Sequence, residues 1–254
     1  MSFVLSGVLN TLTSDYYRPL TLIGGGTNSL AHWNITAAID VRVRADNGRI
    51  NTPPLANLIS PRGIPLNIPT TIVISTLDID SDNVRCRWSN TSVECGDVCY
   101  PSSLPSSTSL SSNCIMNITG TSLTAWYAGS IQVEDFSTSM STTALSSTPI
   151  QFLVYVYAPK NCSVPTLTGP STCIDVQVGV SNTVTLTATN YCGSTSNISD
   201  VLVQSFTGIV QGSLAPVTPP FVYKRDITYT PLAAQLGPQI VCAIALDEYV
   251  FNSF

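Results

Sequence analysis

The sequence predicts an all-β protein, a series of disulfide-stapled β-sandwich modules suited to an oxidising environment. Three observations carry this. Apolar residues alternate with period two in segment after segment, and none holds a 3.6-residue apolar stripe for three turns. Pro and Gly, 17 and 15 of the 254 residues, break the chain often enough to keep each strand short. The eight cysteines fall into two groups of four: Cys86, Cys95, Cys99 and Cys114, then Cys162, Cys173, Cys192 and Cys242.

The clearest strand covers residues 35–44. Ile35, Ala37, Ile39, Val41 and Val43 share one face, while Thr36, Ala38, Asp40, Arg42 and Arg44 share the other. Asp46-Asn47-Gly48 then makes a turn. Residues 68–77 are rich in Ile, Thr and Val, which suit a pleated surface. Further strands are expected at 83–88, 122–133, 151–157, 173–178, 182–189, 200–209, 221–229 and 239–247. The segments 126–136 and 242–249 both read as a late sandwich strand ending in acids, Glu134-Asp135 and Asp247-Glu248. After the first, a Ser/Thr-rich loop leads into another alternating strand at 149–157; after the second, only a few residues follow.

That rhythm sets the expected domains. Residues 1–56 form an N-terminal extended segment and linker, too short ahead of its strand for a sandwich of about 100 residues. Residues 57–159 form a whole sandwich, and residues 160–254 a sandwich lacking its final strand. Such a module exposes an edge that a strand from another molecule could fill.

Composition narrows the function. Charged residues make up 10% of the chain, against about 25% in an average soluble domain, and mean hydropathy is +0.26. Glycans or neighbouring subunits must cover such a surface. Net charge is −5 with ten scattered Lys and Arg, so no nucleic-acid partner is expected. No apolar run approaches 18 residues, so no membrane span is expected, and the first residues do not read as a signal peptide. Five Asn-X-Ser/Thr sites, at Asn34, Asn90, Asn117, Asn161 and Asn197, agree with the cysteines on secretion. Ser/Thr-Pro stretches at 100–112 and 137–149 are candidates for O-linked glycans.

Catalytic chemistry finds little to work with. His32 is the only histidine and has no visible acid or nucleophile partner. Gly24-Gly25-Gly26 lacks the lysine of a phosphate loop and reads as a hinge. The acid pairs Glu134-Asp135 and Asp247-Glu248 read as solvated acids in turns after strands, and because sequence neighbours point to opposite faces of a strand neither pair alone makes a glycosidase pair. No catalytic residue and no cofactor is expected. The sharpest constellation is Asp78, Asp80 and Asp82, whose alternate hard oxygens suit calcium. As an EF-hand loop it fails at Asn83 and Ser89; a cadherin-type site would add Glu134 or Asp135. An acidic turn that keeps a β-edge soluble is the plainer reading and the one preferred.

For the cysteines, a hairpin turning at 89–92 would set Cys86 opposite Cys95, leaving Cys99 to pair with Cys114 around an otherwise floppy loop 100–113. Cys192–Cys242 and Cys162–Cys173 are the expected later pairs, although four cysteines allow three pairings.

The strings Arg85-Cys86-Arg87-Trp88, Glu94-Cys95-Gly96-Asp97-Val98-Cys99, Trp126-Tyr127-Ala128 and Val133-Glu134-Asp135-Phe136 resemble tandem repeats of large secreted or cell-surface invertebrate proteins. Gly237-Pro238-Gln239-Ile240-Val241-Cys242 fits the same pattern. The resemblance implies tandem Ig-like or cadherin-like β-sandwich domains, and is similar to modules of extracellular fibrils. The usual Cys–Trp–Cys spacing of immunoglobulin domains is not met. The expected function is therefore a non-enzymatic, glycosylated extracellular subunit. It would assemble head-to-tail with copies of itself, its segments 3–9 and 35–44 filling the open end near 239–254. The alternative is a fragment of a cell-surface adhesion receptor; a carbohydrate-active enzyme is a distant third.

Overall fold

The computed structural model describes residues 2–9, 33–170, 173–219 and 221–248, with backbone alone for 2–9 and Trp33. The chain divides into two compact units, Met1–Ala158 and Pro159–Phe254.

Unit 1 opens with the hairpin β1 (Ser2–Leu9) and β2 (Trp33–Asp40), antiparallel from Ser2 opposite Asp40 to Leu9 opposite Trp33. There follow β3 (Leu55–Asn57), β4 (Arg62–Pro65), β5 (Thr70–Val73), β6 (Ser75–Leu77) and β7 (Asn83–Trp88). A short helix α1 (Thr91–Cys95) precedes β8 (Ser109–Leu110), β9 (Ile115–Ile118), β10 (Trp126–Phe136) and β11 (Ser146–Tyr157). One sheet centres on β10, flanked by β7 and β11. β4 joins β11 in parallel, from Arg62 opposite Val154 to Pro65 opposite Tyr157. The other layer is β3 with β6, and β5, β9 and β8 in that order.

Alternation places the core. Tyr127, Ile131 and Val133 of β10 and Ile150, Phe152, Val154 and Val156 of β11 pack with Ile72, Ile74, Met116 and Ile118. The opposite face of β10, with Ala128, Ser130 and Gln132, is also buried. Ser130 Oγ donates to Ser89 Oγ at 2.8 Å, and Gln132 Nε2 donates to the Thr36 carbonyl at 3.2 Å. Thr36 Oγ1 in turn donates to the Val93 carbonyl at 2.7 Å. β10 is thus covered on both faces, as strands of low charge must be. Part of the cover that composition demanded comes from the chain's own β2 and the segment around α1.

Unit 2 contains β12 (Thr166–Thr168), β13 (Asn182–Thr189), β14 (Ile198–Gln204), β15 (Val210–Gln211), β16 (Ala215–Thr218), β17 (Val222–Tyr229) and β18 (Cys242–Asp247). β12, β13 and β17 are neighbours in that order, with β15 and β16 both on the far side of β17. β14 pairs with β18 as a second sheet. Leu186, Ala188, Ile198, Val201 and Ile227 fill the space between. In immunoglobulin letters this is A-B-E-D against C-F. In unit 1, β7, β10 and β11 are C, F and G, and β4 lies on G. Both units are immunoglobulin-like sandwiches.

Several expectations need correction. Residues 1–56 do not stand apart from a domain starting at 57. Ala38 lies opposite Ser147, and its N–H donates to Ser147 Oγ at 3.3 Å, so β2 extends unit 1's own sheet. The apolar alternation that made β2 legible also gives it a face worth burying there. Residues 68–77 split at Ile74, whose N–H turns to the Cys114 carbonyl at 2.9 Å. The turn expected at 89–92 is instead a helix start, with Asn90 Oδ1 accepting from Thr91 N and Glu94 from Asn90 N. The loop 100–113 is held in place: Tyr100 stacks on Trp88 at 4.4 Å, Tyr100 Oη donates to the Thr108 carbonyl, and Leu104 is buried. Residues 173–178 form no strand.

The disulfide pattern also differs. The bonds are Cys86–Cys114, Cys95–Cys99 and Cys162–Cys192, with Cys173 and Cys242 unbonded. Cys86 faces the core from β7 and meets Cys114 across the two layers, while α1 brings Cys95 within a turn of Cys99. None of these is the usual B–F bridge, which agrees with the unmet Cys–Trp–Cys spacing.

Candidate functional site

The turn between β6 and β7 carries Asp78, Asp80 and Asp82, and the fold brings the segment that follows β2, residues 44–52, against it. Arg44 Nη2 donates to Asp82 Oδ1 at 2.8 Å and to Asp46 Oδ2 at 2.7 Å, and Arg44 Nη1 donates to Asn51 Oδ1 at 2.8 Å. Asn51 Nδ2 donates to Asp135 Oδ2 at 2.7 Å, and Asp135 Oδ1 accepts from Ser146 N and Oγ. Thr52 N donates to Asp80 Oδ2 at 2.7 Å, and Asp82 N to Asp78 Oδ1 at 2.9 Å. The two carboxylates on Arg44, Asp82 first and then Asp46, raise its already high pKa. The pKa of Asp78 is raised as well, which for a carboxylate disfavours the charged form. Burial raises its pKa, and the charges of Asp135 and Asp82 add to this against the Asp82 N–H. One oxygen of each of the three acids lies within 4.8 Å of the others. The sequence singled out the three acids and offered Glu134 or Asp135 as an extra ligand; Glu134 turns to Arg87 instead, and Arg44 and Asn51 became visible only in the fold.

The paired acids expected in turns are structural. Glu134 holds Arg87 Nε at 2.9 Å, and Arg87 also makes a bidentate pair with Glu94. Burial alone would raise the Glu94 pKa, but Arg87 and the Asn90 N–H together lower it. Asp247 is buried against Lys160, and Glu248 Oε1 accepts from Asn197 Nδ2 at 3.0 Å. Arg87, Trp88, Glu94 and Tyr100 line a shallow cleft, with every charge in it already paired. His32 and Gly24-Gly25-Gly26 lie outside the described residues. Among the described residues no helix is long and apolar enough to cross a membrane.

In unit 2 the site is an edge. β14 covers one side of β18, from Ile198 opposite Asp247 to Gln204 opposite Cys242. Among the described residues no strand pairs with the other side. In unit 1 the equivalent edge of β10 is taken by β11. Residues 173–180 occupy the chain position that β4 has in unit 1, between the A and B strands. Every one of them is exposed, including Ile174, Val176, Val178 and Val180 at 41–47%.

The five Asn-X-Ser/Thr sites separate by environment. Asn90, Asn117 and Asn161 are exposed. Asn34 is half-buried with Nδ2 on the Ser92 carbonyl, and Asn197 is held at both ends, by Glu248 and by Tyr223 Oη. A glycan on Asn34 or Asn197 would displace a hydrogen bond of the fold. On secretion, occupancy is expected at Asn90, Asn117 and Asn161 and low at Asn34 and Asn197. Glycopeptide mass spectrometry checks this; full occupancy of Asn197 would contradict it.

No family model matches the chain, and no curated protein matches it. Among solved structures the chain is similar to the N-terminal eight Ig domains of Down Syndrome Cell Adhesion Molecule isoform 1.30.30. The identity is 10% and the TM-score 0.25, over 88% of this chain and 31% of that one. The chain thus spans about a third of that structure's length. It is the strand order of the two units that makes them immunoglobulin-like.

Proposed function

We propose that this chain is a non-enzymatic, extracellular recognition module of adhesion type, and that unit 2 binds a partner polypeptide as an added strand on β18. The open edge of β18 carries this reading. Among the described residues the C-F sheet has no strand in the G position, so that side of β18 lies beside apolar core without a partner strand, and a strand added there would satisfy its backbone N–H and C=O groups and cover the core. The equivalent position in unit 1 says what the occupant is like. β11 offers Ile150, Phe152, Val154 and Val156 at alternate positions, all buried. The partner segment is therefore extended, rich in β-branched and aromatic residues on one face, and poor in charge. It would also pair with residues 173–180, as β11 pairs with β4. The three disulfides and exposed glycosylation sites support an extracellular setting.

A self-polymer would need segments 3–9 and 35–44 free to donate. Residues 3–9 lie in β1, paired with β2, and β2 is engaged on β11. That favours recognition of a different polypeptide over head-to-tail exchange. Hydrogen–deuterium exchange tests the reading. In the isolated chain, residues 173–180 and the outward amides of β18 are expected to exchange rapidly. A soluble, lysine-tagged peptide carrying residues 148–157 is expected to protect both. Slow exchange of both segments in the chain alone, or no protection by the peptide, overturns the strand-acceptor reading. Self-association on concentration, seen by light scattering together with protection of β18, would return the head-to-tail polymer in its place.

A further inference from the structure

The acidic turn of unit 1 has one property that a solvated turn does not need. Asp78 is 9% exposed, and its Oδ2 is buried with no hydrogen-bond donor. Buried carboxylate oxygens are nearly always satisfied, and an orphan one asks for a partner the protein does not supply. The hydrogen bonds around it link five carboxylates, those of Asp46, Asp78, Asp80, Asp82 and Asp135, but they include only one cation, Arg44. Arg44 serves Asp82 and Asp46. Asp82 can serve a second partner as well, because a carboxylate has about four lone-pair sites.

We propose that Asp78, Asp80 and Asp82 bind a calcium ion, with Asp78 Oδ2 as its buried ligand. Calcium takes oxygen ligands at about 2.3–2.6 Å, so two oxygens on one ion lie no more than about 5 Å apart. The three carboxylates already offer oxygens within 4.8 Å of one another. The set is hard, anionic and irregular, which suits calcium better than magnesium with its near-octahedral demand. The bound ion fastens the β6–β7 turn to the segment that follows β2. Asp80 holds Thr52 N, and Asp82 holds Arg44, which reaches Asn51 and through it Asp135 on β10. The site is independent of the β18 edge, which lies in the other unit.

Chelator-treated protein titrated with calcium chloride, by calorimetry and by thermal melting, tests this. A saturable site is expected with a Kd of about 0.1–1 mM, the range of extracellular modules. The unit 1 melting temperature is expected to rise by roughly 3–6 °C at about 10 mM calcium. Asp78→Asn keeps the shape and removes the charge, so it is expected to weaken binding at least about tenfold. Without calcium, this variant should melt at or above the wild-type temperature, because an uncompensated buried charge is gone. Should it fail to fold, Asp80→Asn on a half-exposed side chain gives the same binding readout. Absence of a saturable calcium response in the wild type overturns the proposal. So does a response unchanged in the variants, which would place the ion elsewhere.

Discussion

Replacing Phe152 by alanine is expected to cost unit 1 about 3–5 kcal/mol, near the top of the range for a buried aromatic. The ring is 1% exposed and sits at the centre of β11. Its cross-strand partner is Gly129 of β10, and the ring lies where a β-carbon of that residue would be, 2.2 Å from the ideal position. Gly129 has no side chain to move into the space that the lost ring would leave. Ile131 and Val133 are fixed by their own neighbours on a strand buried on both faces, so the cavity cannot collapse. Denaturant unfolding of the single variant, followed by a probe in unit 1, measures the loss. A cost below about 1.5 kcal/mol would mean the layers close over the gap, as a volume-tolerant core would allow.

The second large effect is expected from the Cys86–Cys114 bond. Both sulfurs are buried, and the bond joins β7 of one sheet to the turn entering β9 of the other, 28 residues on. Cys86 N also donates to the Ser112 carbonyl at 3.0 Å, so the crossing is braced by the backbone. Closing a loop of that length removes enough unfolded-chain entropy to stabilise the fold by about 3–4 kcal/mol. The Cys95–Cys99 bond spans 4 residues and closes a ring one helical turn long, so it constrains the unfolded chain less. Replacing Cys86 and Cys114 together by alanine should therefore lower unit 1 stability more than replacing Cys95 and Cys99. Equal losses, compared by urea unfolding, would mean that the entropy of the loop is not what the longer bridge contributes.

Legibility in the sequence followed element length and the distance over which each contact acts. The strands β7 and β13 match their expected bounds, because six to eight residues of alternation are enough to reveal a half-buried face. β3, β4, β8, β9, β12, β15 and β16 escaped, since two to four residues carry no measurable period. Segment 173–178 alternates as a strand should, yet pairs with nothing among the described residues. Alternation reports that a segment is fit for an edge, and a partner must still be present to make it a strand.

The candidate sites divide along the same line. Asp78, Asp80 and Asp82 stand close in sequence, so their shared chemistry was readable there. That Asp78 is buried with an oxygen lacking a donor, and that Arg44, Asn51 and Asp135 close around the turn, depends on β2 and β10 being folded against it. The cysteine pairs were misassigned for a related reason. Four cysteines in a row of short elements satisfy several local geometries, and only the crossing of two sheets sets Cys86 against Cys114. What the sequence by itself determined was the all-β class, the presence of disulfides and the strand-rich modules, because composition and period two act locally. The tertiary structure decided which edge β11 covers in unit 1 and which edge of β18 has no partner strand among the described residues. Strand pairing satisfies backbone groups that every residue carries alike, so its partners are chosen by the packing of whole sheets.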